Sequence, residues 1–185
     1  MKRENYLPGS AIGASVEKEG EQWTLIVHRE LHSAIETVWT AITDPEHLRQ
    51  WAPFDADRHL NQPGTVNFST VGMPKPHVTA THIRQVSEPN LPEYSWGDQY
   101  MRWELEKLDS QRTKLTLWHS IDKGYISMGA AGWHICFDVL TLLLNGQPIG
   151  RIVGQEAMQF GWPRLNQQYA EKFGIKPPKQ PAQKQ

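Results

Sequence analysis

Few side chains in this chain are placed to do chemistry, and His119 is the first of them. It ends the run TKLTLWHS (113–120), whose alternation reads as a strand over residues 112–121. Period two puts His119 on one face with Leu115, Leu117 and Ile121, the expected concave side. An imidazole there can hydrogen-bond a ligand carbonyl or hydroxyl, or take a proton as a general base. The commoner outcome is a core histidine satisfied by its neighbours. His82 shares a face with Val78, Ala80 and Val86 and raises the same question with less force. His134, Asp138, Thr141 and Asn145 fall in one stripe at spacings of four, three and four. Residues four apart on a helix can share a metal ion, but no third ligand is identifiable. A solvated outer face explains the stripe better, so no metal is expected. Asp55, Asp57, His59 and His77 have no metal-ligand spacing, and Glu46 and His47 fall on a short exposed helix. Gly-rich phosphate loops, G-x-S-x-G and H-E-x-x-H are all lacking. No arrangement of Ser, His and Asp suggests a nucleophile, and His119 is the one candidate catalytic residue.

The element that must organise these groups is a long apolar helix, WHICFDVLTLLLNG (133–146). Trp133, Cys136, Phe137, Leu140, Leu143 and Leu144 make one helical face, while Ile135, Val139 and Leu142 make a second flank apolar too. Such a helix has to be enclosed, yet this run is too short to span a bilayer. Gly146 and Pro148 stop it. Upstream, QWTLIVHRELH (22–32) is a strand, and Ser33 with Glu36 forms a capping box before a first helix. Asp44 and Pro45 start a second short helix that closes at Trp51. Strands are expected near 56–61, 64–71, 77–86, 92–97, 100–108 and 112–121, the signature of an antiparallel meander. Met73–Pro76 supplies one of the breaks. A last helix near 163–173 carries Trp162, Leu165, Tyr169 and Phe173 along one face.

Bulk properties narrow the function classes. A formal net charge of -1 over 185 residues gives no footprint for nucleic acid or an anionic membrane. A single cysteine, Cys136, excludes an internal disulfide and a cysteine-built metal site. Within a buried helix it serves as a small hydrophobe. The N-terminal stretch has no apolar signal region, so a soluble cytoplasmic protein is expected. Eight tryptophans are many for the length, and either fill a core or line a pocket.

VWTAITDPEHLRQW (38–51) resembles the first two helices of the SRPBCC superfamily, the START-like or Bet v-like helix-grip fold. It is most similar to the family named for the C-terminal domain of the activator of the ninety-kilodalton heat-shock protein ATPase. IRQVSEPNLPEYSW (83–96), TKLTLWHS (113–120) and GWHICFDVLTLLLNGQP (132–148) agree in order and spacing. The resemblance spans roughly residues 22 to 148. Arg112 stands where the family often has Gly, and residues 149–185 go beyond the usual closing helix.

The resemblance implies an α+β helix-grip domain, a curved antiparallel sheet around the long helix with two short helices after strand one, and the sequence adds an extra C-terminal helix beyond it. The expected organisation is a loose segment (1–20), the domain (21–148), an extension packed on it (149–175) and a disordered tail (176–185). A sheet gripping a helix leaves a cavity unless large side chains fill it. The resemblance implies a lipid-, polyketide- or flavonoid-like hydrophobic ligand there, with no cofactor. Trp96, Trp103, Phe68, Trp133 and Phe137 are the expected aromatic wall, with Leu140 beside them, Trp51 and Phe54 at the mouth, and His82 and His119 as polar groups. Two rivals stay open: a cyclase- or hydrolase-like enzyme using the same cavity, and a chaperone-ATPase partner. A pocket histidine beside a carboxylate would favour the enzyme. The extension also offers a homodimer contact.

Overall fold

The computed structural model describes residues 1–75 and 77–176. The expected disordered tail lies, from residue 177, outside the described residues, as does Pro76. Among the described residues, nine strands form two antiparallel sheets. Strands β1 (Ala14–Glu19), β2 (Gln22–Leu31), β9 (Thr113–Ser120), β8 (Gln99–Lys107), β7 (Leu91–Trp96) and β6 (Gln85–Ser87) lie side by side in that order. The smaller sheet holds β3 (Phe54–Ala56), β4 (Gly64–Thr70) and β5 (His77–Ile83). The fold is the helix grip: the curved sheet wraps helix α3 (Ile126–Leu144), with α1 (Ile35–Thr43) and α2 (Pro45–Leu48) between β2 and β3. Helix α4 (Trp162–Phe173) closes the chain.

Alternation does most of the work in the large sheet. Leu25 and Val27 of β2 stand opposite His119 and Leu117 of β9, which stand opposite Met101 and Trp103 of β8. All of these face inward and are buried, whereas Arg102, Glu104, Thr116 and Trp118 alternate onto the outer face and are half-buried. The inward set meets α3, with Trp103 edge-on to Trp133 at 5.4 Å and tilted against Phe137 at 6.1 Å. Apolar burial of this extent is the main stabilising term.

Several local expectations need correction. The strand expected over 77–86 breaks at Arg84, whose N–H donates to the Glu93 carbonyl (2.8 Å), so the chain leaves the small sheet for the large one there. The strand near 56–61 is reduced to β3. The capping box does not form: α1 starts after Ala34 without a side-chain cap, and the Ser33 carbonyl accepts from Thr113 Oγ1 (2.8 Å). Asp44 behaves as read, accepting from the Glu46 and His47 N–H groups at 2.7 and 3.3 Å. The N-terminal segment is not loose. It supplies β1, a buried Tyr6, and Arg3, whose guanidinium donates to the carbonyls of Ile149, Gly150 and Arg151 at 2.6, 2.9 and 2.8 Å.

The polar stripe of α3 is not a solvated face either. His134 is buried, with Nδ1 2.8 Å from the Tyr169 hydroxyl and Nε2 3.4 Å from Asp138. Asp138 also takes hydrogen bonds from Tyr6 and Arg29, both at 2.9 Å. Burial opposes the Asp138 charge, but His134, Arg29 and Tyr6 together outweigh it and hold the carboxyl below its ordinary range. The N-terminal arm and α4 cover His134 and Asp138, which a helical wheel of α3 alone cannot reveal, while Thr141 stays half-buried and Asn145 exposed. The helical stretch Lys123–Leu144 runs to 22 residues with mean hydropathy 1.4, long and apolar enough to cross a bilayer, contrary to the expectation from its C-terminal half. The sheet, the arm and α4 cover this helix, and 61% of its most apolar 18-residue window is buried.

Candidate functional site

Large side chains fill the space beneath the middle of α3. Trp51 packs edge-on to Trp103 at 6.1 Å and to Phe137 at 6.4 Å, and its indole N–H donates to the Ala41 carbonyl (2.9 Å). Phe54 and Phe68 pack at a tilt with ring centroids 4.6 Å apart, and Tyr94 lies 5.2 Å from Phe68. Trp51, Phe54, Phe68, Trp103, Phe137 and Leu140 are all essentially inaccessible. These six expected site residues are therefore interior packing, and Trp51 and Phe54 stand at no mouth. His82 is exposed on β5 with Val78 and Ala80, because their face of the small sheet turns outward.

Open space lies instead at the N-terminal end of α3, as a pocket of about 480 Å³. That is an ordinary size for a small-molecule site. Its floor comes from the sheet: Trp96 of β7, Gln99 of β8, His119 of β9 and Ile121 just beyond it. One wall is α3, through Met128, Gly129, Gly132, Trp133 and Cys136. The opposite wall is the extension, through Ile152, Val153, Ala157, Met158 and Trp162. Of the expected site residues, the structure brings together Trp96, His119 and Trp133.

Two features create the room. Gly129 and Gly132 remove side chains from the pocket side of α3. A Cβ at position 132 would meet nothing within 4 Å, whereas one at 129 would lie 2.9 Å from Ile121 Cδ1. The extension is also held at a set distance. Gly154 has φ +59° and a Cβ there would sit 2.0 Å from the Gly72 carbonyl oxygen, so only glycine permits this crossing of two backbones. Arg151 pairs with Asp55 at 2.6 Å, and Arg3 grips both the preceding carbonyls and Glu156 (2.7 Å). Gln99 and the glycines were not picked out from the sequence, and the extension was read as packed on the domain without its residues being assigned to a site. Paired glycines inside an apolar helix, at a cost of about 1 kcal/mol each, were the available signal.

The electrostatics are simple. No Asp, Glu, Lys or Arg is among the described residues lining the pocket. Its polar groups are His119, Gln99, Gln155, the Tyr125 hydroxyl and the Cys136 thiol. Trp133 Nε1 donates to His119 Nδ1 at 3.0 Å, and His119 Nε2 lies 2.7 Å from Gln99 Oε1. Trp96 stacks over the imidazole at 6.4 Å. Burial lowers the His119 pKa to about 4, so the ring is neutral at neutral pH. Burial likewise pushes the Cys136 thiol up to about 12, leaving no thiolate nucleophile. Among the described residues no group of His, Cys, Asp and Glu is arranged to hold a metal ion.

A sequence model of the family described as Activator of Hsp90 ATPase homolog 1-like protein matches residues 32–145. No curated protein matches the chain significantly. Among solved structures, a conserved protein of unknown function, EF2215 from Enterococcus faecalis, superposes with TM-score 0.69 at 15% identity, over 88% of this chain and 91% of that one. CalU16 from Micromonospora echinospora gives TM-score 0.61 at 21% identity, covering 88% and 92%. A Bordetella parapertussis protein gives 0.60 at 16% identity, covering 95% and 96%. At such identities the likeness establishes the fold alone.

Proposed function

We propose, from the premise that the chain belongs to the Activator of Hsp90 ATPase homolog 1-like family, that this protein binds a small, neutral, mainly hydrophobic molecule in the pocket at the N-terminal end of α3. The observation that carries the reading is a pocket of about 480 Å³ whose described lining bears no formal charge and includes three tryptophans, Trp96, Trp133 and Trp162. A charged ligand would leave water there for no compensating partner, at a cost of several kcal/mol. A neutral aromatic or lipid-like molecule gains roughly 25 cal/mol for each Å² of apolar surface it buries.

Binding is favoured over catalysis by the state of the one candidate base. His119 has its two ring nitrogens committed to Trp133 and Gln99, and its partners are not carboxylates. General-base action needs a lone pair aimed at the substrate. Titration with a panel of neutral polycyclic aromatics, flavonoid-like compounds and fatty alcohols, followed by tryptophan emission, tests the reading. At least one class should quench or shift the emission saturably, because three of the eight indoles face the pocket. A flat response to every class rejects it.

A further inference from the structure

Resting on that reading, we infer that Trp133, His119 and Gln99 form a directional hydrogen-bond relay that makes the pocket select ligands carrying a hydrogen-bond acceptor, with an aromatic ketone as the fitting class. The direction follows from valence. An indole N–H can only donate, so the contact from Trp133 Nε1 at 3.0 Å requires an unprotonated Nδ1 on His119. A neutral imidazole must then carry its proton on Nε2. That N–H points at Gln99 Oε1, 2.7 Å away, and fixes which end of the amide faces the ring. The Gln99 NH2 makes no hydrogen bond to a described residue, and Gln99 is one of the residues that line the pocket. That NH2 is a donor with no accepting capacity. Gln99 is thus the ligand-binding residue, while His119 and Trp133 are positioning residues that set its sense.

The ligand body follows from the walls. Trp96 lies nearly parallel to the His119 ring (25°) and steeply inclined to Trp133 (72°), so a flat aromatic skeleton meets both a face and an edge beside the donor. A carbonyl conjugated to such a skeleton, accepting from Gln99 Nε2, satisfies a donor that a hydrocarbon would strand. Stranding a buried N–H is what a pocket built to hydrogen-bond discriminates against.

Calorimetric titration with two isosteric probes, 2-acetylnaphthalene and 2-isopropylnaphthalene, tests the relay. The wild-type chain should bind the ketone about tenfold more tightly. Gln99→Leu should bring that ratio to about one while keeping the hydrocarbon bound. Trp133→Phe, which frees Nδ1 and lets the amide turn, should also erase the preference. The ratio cancels any general change in pocket shape, and nitrogen-15 spectra of wild-type His119 check the relay without ligand or variant. Nδ1 should show the shift of an acceptor nitrogen and Nε2 that of a protonated one between pH 6 and 8. Equal binding of the two probes by wild type, a preference that survives Gln99→Leu, or the opposite tautomer overturns the inference. Failure of both probes to bind counts instead against the ligand pocket itself.

Discussion

His119 shows how one buried side chain sets both a local geometry and a solution property. Its pKa falls to about 4 in the folded chain because burial penalises the imidazolium, whereas an unfolded histidine titrates near 6.5. Below about pH 6.5 the unfolded state therefore binds a proton that the native state refuses. Stability is fully present above that pH and is lost as pH falls toward 4, by up to about 3 kcal/mol. His28 is shifted in the same direction, by burial first and then by Lys114 and Arg29. The difference between wild type and His119→Gln isolates His119. Urea unfolding midpoints from pH 7.5 to 4.5 should slope down steeply for wild type and distinctly less for the variant. Parallel slopes would mean that the ring is not buried neutral. His82 raised the same question with less force from its strand pattern, but its face of the small sheet is exposed.

Among the elements, α3 does two jobs at its two ends. The middle of the helix packs through Phe137 against Trp51 and Trp103, while the N-terminal half is thinned by glycine to leave the pocket. This division gives a test in which stability and binding move in opposite directions. In Gly132→Leu the new Cβ meets no atom within 4 Å and the side chain enters the pocket. A better helix former adds about 0.5–1 kcal/mol, equivalent to a rise in Tm of about 2 °C. Ligand binding should nevertheless be lost, since the pocket volume is taken. Scanning calorimetry and the probe titrations read the two effects. A variant that melts higher and still binds normally would place the ligand elsewhere.

At the scale of the whole molecule, the N-terminal arm and helix α4 are both part of the folded body. Arg3 and Tyr6 reach from the N-terminal arm to the extension and to α3, while Tyr169 of α4 donates to the Ile12 carbonyl at 2.7 Å. Arg164 adds bonds to the carbonyls of Pro8 and Gly9. Removing either end leaves His134 and Asp138 with fewer partners and exposes an apolar face of α3. We expect truncation after Gly150, or deletion of residues 1–12, to abolish cooperative melting and to increase binding of a hydrophobic dye. Arg3→Ala alone should cost about 2 kcal/mol, the scale of losing charge-assisted hydrogen bonds to buried carbonyls. A truncated chain that melts as sharply as the intact one would mean that the ends are ornaments.

By itself the sequence determined the alternating strands, the Asp44 cap, the apolar helix and the motif order that together specify a helix grip. These are periodic or local features, written in neighbouring residues. It also placed His119 on the inward face, because a side chain's face follows from period two once the strand is known. Only the tertiary structure decided that Trp51, Phe54, Phe68, Trp103 and Phe137 fill the interior rather than line a cavity. Core and pocket use the same residue types, and they differ only in whether atoms from distant segments arrive to occupy the gap. The same reason hid Gln99 and residues 152–158. Their role comes from Gly72, Arg3 and His119 meeting them across the fold, and no pattern along the chain encodes such a meeting.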